Sequence, residues 1–226
     1  MITRRHALVL SAGAIAAAKL ASPAAAQETA KSVERHGMSA FGDLAYPADF
    51  PHFKYVNPDA SKGGMYSEAV SSRGYNGSFL TFNSLNAYIL KGDGVFGMDL
   101  TFAALMVRSG DEPDAMYGLA ARSVRISDNG LTYRFTLRDQ AKFHDSTPLT
   151  AHEVVWSLTT LKDKGHPVIT QQLRDFKGAE AEDDHTVIVR FADKRGRDVP
   201  LFVAGLPIFS KAYYAKQPFD QSTLEI

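Results

Sequence analysis

The sequence predicts an α/β chain of the mixed α+β kind, and three observations carry the prediction. Two pairs of short segments alternate polar and apolar residues around turn-forming residues. A capped amphipathic stretch lies between the pairs, and 45 % of the 226 residues are apolar, enough to bury a core.

Taken in order, Gln27 to Gly42 is polar and irregular and reads as a flexible lead-in, extending to residue 45, with order beginning near Tyr46. Prolines at 47, 51 and 58 deny a helix to the next stretch, so it reads as an extended segment pinned by Phe50, Phe53 and Tyr55. Lys62-Gly63-Gly64 turns into an expected strand over Met65 to Val70, followed by a glycine- and serine-rich loop from Ser71 to Ser78. Asn76-Gly77-Ser78 has the spacing of a glycosylation acceptor, a short pattern that carries little weight by itself.

Val95 to Val107 carries a helical pattern, with Val95, Met98, Phe102, Leu105 and Met106 close to one face. Ser123–Ser127 and Leu131–Leu137 flank Asp128-Asn129-Gly130, a hairpin signature. Period-two geometry puts Leu131, Tyr133, Phe135 and Leu137 on one buried face. Thr150 and Glu153 have the spacing of a capping box, so a helix follows with Ala151, Val154, Val155, Leu158 and Leu161 as its stripe, closed by Gly165 and Pro167. His152, Trp156 and Thr159 lie opposite, as expected of a helix packed on two sides. A second hairpin is expected from Phe176–Ala181 and Thr186–Phe191, then short helices at Val199–Ala204 and Lys211–Lys216.

Charge and cysteine content narrow the function. Lys and Arg number 25 against 25 Asp and Glu, which gives no reason to expect nucleic-acid binding. With no cysteine, disulfides, thiolate catalysis and cysteine-ligated metals are excluded. Residues 1–26 read as a cleavable export signal: basic Met1 to Arg5, an apolar stretch from Ala7, and small residues at Ala24 to Ala26. Arg4-Arg5 also fits the twin-arginine route, although Ala7 stands where that pattern prefers a bulky apolar residue. Removal of the signal, with Arg4, Arg5 and Lys19, would leave 200 residues carrying 22 basic and 25 acidic side chains, a net −3.

Catalytic motifs fare poorly. Gly92, Gly94 and Gly97 match the spacing of a dinucleotide loop, with Glu112 downstream, but no buried strand precedes them. His144, Asp145, His152 and Glu153 flank one loop, yet Trp156 occupies the position where a helical zinc motif needs its second histidine. No Gly-x-Ser-x-Gly elbow occurs. No enzyme activity, cofactor or metal is expected.

Tyr46-Pro-x-x-Phe50-x-His52-Phe53-x-Tyr55-Val-Asn-Pro58-x-Ala-x-Lys62-Gly-Gly64, Phe82-Asn-Ser-Leu-Asn86 and Leu90-Lys-Gly92 resemble the opening of family 5 extracellular solute-binding proteins. Tyr117-Gly-Leu-Ala120, Tyr133-Arg-Phe-Thr-Leu-Arg138 with Phe143-His-Asp145, Pro148-Leu-Thr-Ala-x-Glu-Val-Val155 and Leu206-Pro-Ile-Phe-Ser-Lys211 continue the resemblance. Ser146 stands where the family usually has the glycine of an Asp-Gly-x-Pro turn, and His152-Glu153 where acidic pairs are usual.

The resemblance implies the first-lobe portion, residues 46–226, of a bilobed periplasmic binding protein of type II-like fold, with residues 88–175 as a subdomain. It implies a periplasmic monomer that captures peptides or similar small solutes and delivers them to an inner-membrane ABC permease driven by a separate ATPase. Lys91, Gly92, Asp93 and Gly94 match the position where an extended stretch near the lobe rim approaches the ligand. The glycines admit backbone close to ligand, and Lys91 or Asp93 is placed to meet a peptide terminus. Family members run to about twice this length or more, so the chain is expected to be a truncated fragment that alone binds peptide weakly or not at all. The alternatives are an exported interaction module using the aromatic-rich Tyr46 to Tyr55 stretch, or a periplasmic hydrolase.

Overall fold

Six residues near the start of the described chain serve two sheets. The computed structural model describes residues 33–65, 67, 75–78, 80–221 and 224. Strand β1 (Glu34–Arg35) pairs with Val124 and Arg125, whereas β2 (Gly37–Ser39) pairs with Ala115 to Tyr117. His36 lies between them; its carbonyl accepts from Gly118 N at 3.1 Å and its ring meets the Tyr46 carbonyl at 2.8 Å. Order therefore begins before Tyr46, a correction to the expected lead-in. Residues 34–39 are ordered by pairing with strands far away in sequence, and local composition carries no trace of that pairing. The expected export signal lies outside the described residues, as does most of the strand expected over Met65 to Val70.

The proline-containing stretch forms no helix. Its rings turn inward on Tyr117: Tyr46, Phe50 and Phe53 have ring centroids 5.4, 5.1 and 5.7 Å from that tyrosine, each edge-on, a favoured aromatic arrangement. Tyr46 donates to Asp111 at 2.5 Å, Tyr117 donates to Glu112 at 2.7 Å, and Gly110 N donates to the Tyr55 hydroxyl at 3.0 Å. Burial, together with the Glu112 carboxylate against its hydroxyl, pushes the Tyr117 phenol up to about 12. The aromatic surface that an interaction module would present is largely spent within the fold.

The helix expected over Val95 to Val107 is not there. A single 3-10 turn spans Met98–Thr101, and the chain then enters strand β3 (Met106–Arg108). Gly97, at φ 82°, starts the turn from the left-handed region and breaks the helical path. Phe102 is extended, and Met106 to Arg108 pair with β4 (Ala115–Gly118), so sheet pairing overrides the helical spacing of the apolar residues. The small sheet runs β2-β4-β3, all antiparallel.

The larger sheet follows the two hairpins closely. Strands β5 (Ala121–Ile126) and β6 (Thr132–Leu137) pair antiparallel, Val124 opposite Phe135. Their turn is fastened by Asn129 Oδ1 accepting from Leu131 N at 3.0 Å, with Gly130 at φ 67°. Helix α1 (Ala151–Lys164) begins at the expected box: the Glu153 carboxylate accepts from Thr150 N at 3.3 Å and from its hydroxyl. A short helix α2 (Pro167–Gln172), which the sequence reading missed, starts with proline at its first position. Strands β7 (Phe176–Asp183) and β8 (Thr186–Phe191) complete the sheet, in the order β1-β5-β6-β8-β7. Helices α3 (Val199–Ala204) and α4 (Lys211–Tyr214) close the described chain.

One buried face explains this layout. Tyr133, Phe135 and Leu137 on β6 and Val187, Val189 and Phe191 on β8 are buried, as period two requires, with Ala151, Val154, Leu158 and Leu161 of α1 buried in the same core. Val155 is only half-buried. Within that core Ser157, fully buried, donates to the Glu153 carbonyl at 2.7 Å and accepts from Phe209 N at 2.8 Å. The hydroxyl thereby fixes the Leu206–Phe209 segment to the helix. On the other side Trp156 stacks on Tyr214 at 5.7 Å and meets Phe219 edge-on at 6.3 Å, so the helix does pack on two sides.

Candidate functional site

Three extended strips lie side by side around the glycine-rich loop. Gly94 bridges both Gly77 and Ser84 in parallel fashion. Gly94 N donates to the Asn76 carbonyl at 3.0 Å, and Ser78 N donates to the Gly94 carbonyl at 3.3 Å. The Asp93 carbonyl accepts from Asn83 N at 2.9 Å and Ser84 N at 3.2 Å, while Asp93 N donates to Asn83 Oδ1 at 2.8 Å.

Asn76 organises this arrangement from inside. Its amide donates to the carbonyls of Asn86 at 3.1 Å and Lys91 at 2.9 Å, and the side chain is 4 % exposed. A methyl group on Gly94 would sit 2.4 Å from Asn76 Oδ1 and 3.2 Å from the Ala87 Cα, so glycine is required by close packing. That burial also removes the glycosylation reading, because the amide is engaged and shielded. Asn86 repeats the device: its amide donates to the Phe219 carbonyl at 2.8 Å and its carbonyl oxygen accepts from Tyr88 N at 3.0 Å.

The four loop residues fall into two groups. Lys91 and Gly92 are exposed, Gly92 in the left-handed region at φ 77°. Gly94 is buried with its N–H and carbonyl both engaged, and the half-buried Asp93 accepts from the Thr81 hydroxyl at 2.9 Å. The main chain of Asp93 and Gly94 is therefore committed to the fold.

Beyond Gly94 the strip runs into an open cavity of about 660 Å³. Val95 and Gly97 border it, Met106, Leu119 and Leu206 supply apolar wall, and Tyr75 and Tyr88 supply aromatic wall. Asp99 is its acidic lining residue and Arg108 its basic one among the described residues. Burial pushes the phenols of Tyr75 and Tyr88 up, with the negative charge of Asp99 adding to the effect, so both stay protonated at ordinary pH. Next to them the His166 imidazole is pushed down by burial. Tyr75, Tyr88, Asp99 and Arg108 had no motif to announce them; the available signal was only aromatic and charged residues placed on either side of the glycine loop.

The two histidines weighed as metal ligands, His144 and His152, are both exposed, and His152 faces Asp184 at 3.5 Å. Asp145 serves its own turn, accepting from Thr147 N at 3.0 Å.

The described residues thus form a mixed sheet-and-helix unit with an open, largely apolar cleft edged by extended main chain. Residues 115–225 match the model of bacterial extracellular solute-binding proteins, family 5 middle part. The chain is 37 % identical over 206 residues to the peptidoglycan-binding protein YepA of Agrobacterium fabrum, covering 87 % of this chain and 32 % of that protein. A protein of Brucella melitensis biotype 1, named for binding, is 35 % identical over 225 residues, covering 94 % of this chain and 35 % of its own length. The chain thus spans about a third of the length of the curated relatives it matches. Among solved structures, the oligopeptide-binding protein AppA of Bacillus subtilis, in complex with a nonapeptide, matches in fold with a TM-score of 0.50. That match is 24 % identical and covers 64 % of this chain and 28 % of AppA.

Proposed function

We propose that this chain is the first-lobe part of a periplasmic solute-binding protein. It captures peptides or similar small solutes and hands them to an ABC permease powered by a separate ATPase, without chemistry of its own. The observation that carries this reading is the open cavity beside the glycine-edged strip, which has apolar walls and, among the described residues, one side chain of each charge. Such a site suits a ligand recognised by shape, main chain and its charged ends rather than by a reactive group. The name of the Agrobacterium relative extends the ligand class to peptidoglycan. On this reading Lys91 and Gly92 form the rim that touches ligand, while Asp93 and Gly94 hold that rim in place.

Export to the periplasm rests on the basic, apolar and small-residue order of residues 1–26. The reading is tested by uptake of a labelled tripeptide pool in the source bacterium with the gene intact and deleted. Reduced uptake in the deletion strain, restored by the plasmid-borne gene, is expected; unchanged uptake of every labelled peptide counts against the transport role.

A further inference from the structure

We propose that Met98 is an oxidation site: an oxygen-donating oxidant of the peroxide class converts its thioether to the sulfoxide and thereby weakens solute binding in the cavity. The inference rests on the solute-binding reading and adds a regulation of the same site.

The methionines of the chain sort by their surroundings. Met38, Met106 and Met116 are 2, 1 and 3 % exposed, whereas Met65 is 94 % exposed and does not line the cavity. Met1 lies outside the described residues. Three thioether side chains, Met98, Met106 and Met116, border the same cavity. Of these, Met106 and Met116 sit in paired strands and are closed to solvent, while Met98 is only half-buried. Met98 is therefore the one of the three that a small dissolved oxidant reaches. It opens the 3-10 turn, and its carbonyl accepts from the Thr101 hydroxyl at 2.7 Å, so its main chain is tied down.

A wall of thioethers is soft and adaptable, which suits apolar groups of varied shape. Oxidation removes that property at its accessible member. A sulfur lone pair attacks one peroxide oxygen, and the S–O bond forms as the O–O bond breaks. Sulfur gives up two electrons, and the proton of the transferred hydroxyl passes to the departing hydroxide, which leaves as water. The product is a polar, chiral sulfoxide where a flexible apolar side chain stood. Its S–O dipole holds water against the wall, and an apolar solute group must strip that water to pack there. Reductases specific for each sulfoxide epimer restore the thioether, so the change is reversible.

The test treats the full chain and its Met65→Leu and Met98→Leu variants with hydrogen peroxide and follows each methionine by peptide mass mapping. Met98 is expected to oxidise at least about tenfold faster than Met38, Met106 and Met116. Equal rates for these four overturn the site, whatever the peptides do. Binding of trialanine and Ala-Leu-Ala is then read by ligand-observed NMR before and after oxidation. About tenfold weaker binding is expected in wild type and in Met65→Leu, restored by methionine sulfoxide reductases A and B. Met98→Leu should show the same affinity before and after peroxide, whatever its starting value; if that value is too weak to read, the reductase rescue of Met65→Leu decides. Unchanged binding once Met98 is oxidised overturns the regulation and leaves solute binding standing. A loss that persists in Met98→Leu, or one that comes with loss of the circular dichroism signal, also overturns it. Failure of the unoxidised chain to bind either peptide overturns both readings.

Discussion

Replacing Gly94 with alanine tests whether the glycine-edged strip is built by packing. Gly94 does not have a positive φ, so the substitution carries no backbone strain and its effect is steric. The new methyl would lie 2.4 Å from Asn76 Oδ1, about 1 Å inside ordinary contact. Asn76 cannot retreat freely, because its amide holds the Asn86 and Lys91 carbonyls at 3.1 and 2.9 Å. Overpacking costs about 1–3 kcal/mol, and losing one of those bonds adds about 1 kcal/mol, so about 2–4 kcal/mol is expected. The assay is urea denaturation of four proteins: wild type, Gly94→Ala, Asn76→Ala and the double variant. If the clash is with Asn76, alanine at 94 should cost much less once the Asn76 side chain is gone, a coupling of about 1–3 kcal/mol. Additive costs, or a Gly94→Ala protein within about 0.5 kcal/mol of wild type, would refute the packing argument.

Other expectations follow from single groups. Ser146 sits at φ 69° while its N–H donates to the Phe143 carbonyl at 3.0 Å, so Ser146→Gly keeps the bond, relieves the strain and should stabilise by about 1 kcal/mol in a thermal melt. A lower melting temperature would contradict this. Ser157→Ala leaves the buried Phe209 N–H without its acceptor and should cost about 1–3 kcal/mol by urea denaturation, with Ser157→Thr failing to restore it if the pocket admits no extra methyl. Asp111 is held below the usual carboxylate range by the Ser109 hydroxyl and then the Tyr46 hydroxyl. A depressed native pKa contributes stability above the unfolded value, near pH 4, and loses it as pH falls through the native value. The acid limb of the stability curve should therefore flatten in Asp111→Asn, and an unchanged limb would exclude that role.

The parts of the fold that could be read in the sequence are those whose partners are local. The two hairpins carry their own turns, and α1 carries its own cap, so period and capping residues suffice. The β2-β4-β3 sheet was invisible because its strands have only 3 or 4 residues and because β2 finds its partner far along the chain, Gly37 opposite Tyr117. The stretch from Val95 to Val107 misled for another reason: its apolar spacing suits a helix, but Gly97 and the pairing of Met106 with Gly118 decide otherwise. At the candidate site the glycines of 92–94 stood out, whereas Asn76, which arranges them, looked like a surface sequon. Its role depends on burial and on carbonyls at positions 86 and 91, which spacing alone does not bring together.

Trp156 is the single tryptophan of the chain, and it lies against Tyr214 and Phe219. The protein therefore carries one native fluorophore located at the contact between α1 and the segment that follows β8. Its emission wavelength and quenching by iodide would follow detachment of residues 211–219 without any label. Because Phe219 also accepts the Asn86 amide through its carbonyl, at 2.8 Å, that optical signal is linked through one hydrogen bond to the strip beside the cavity.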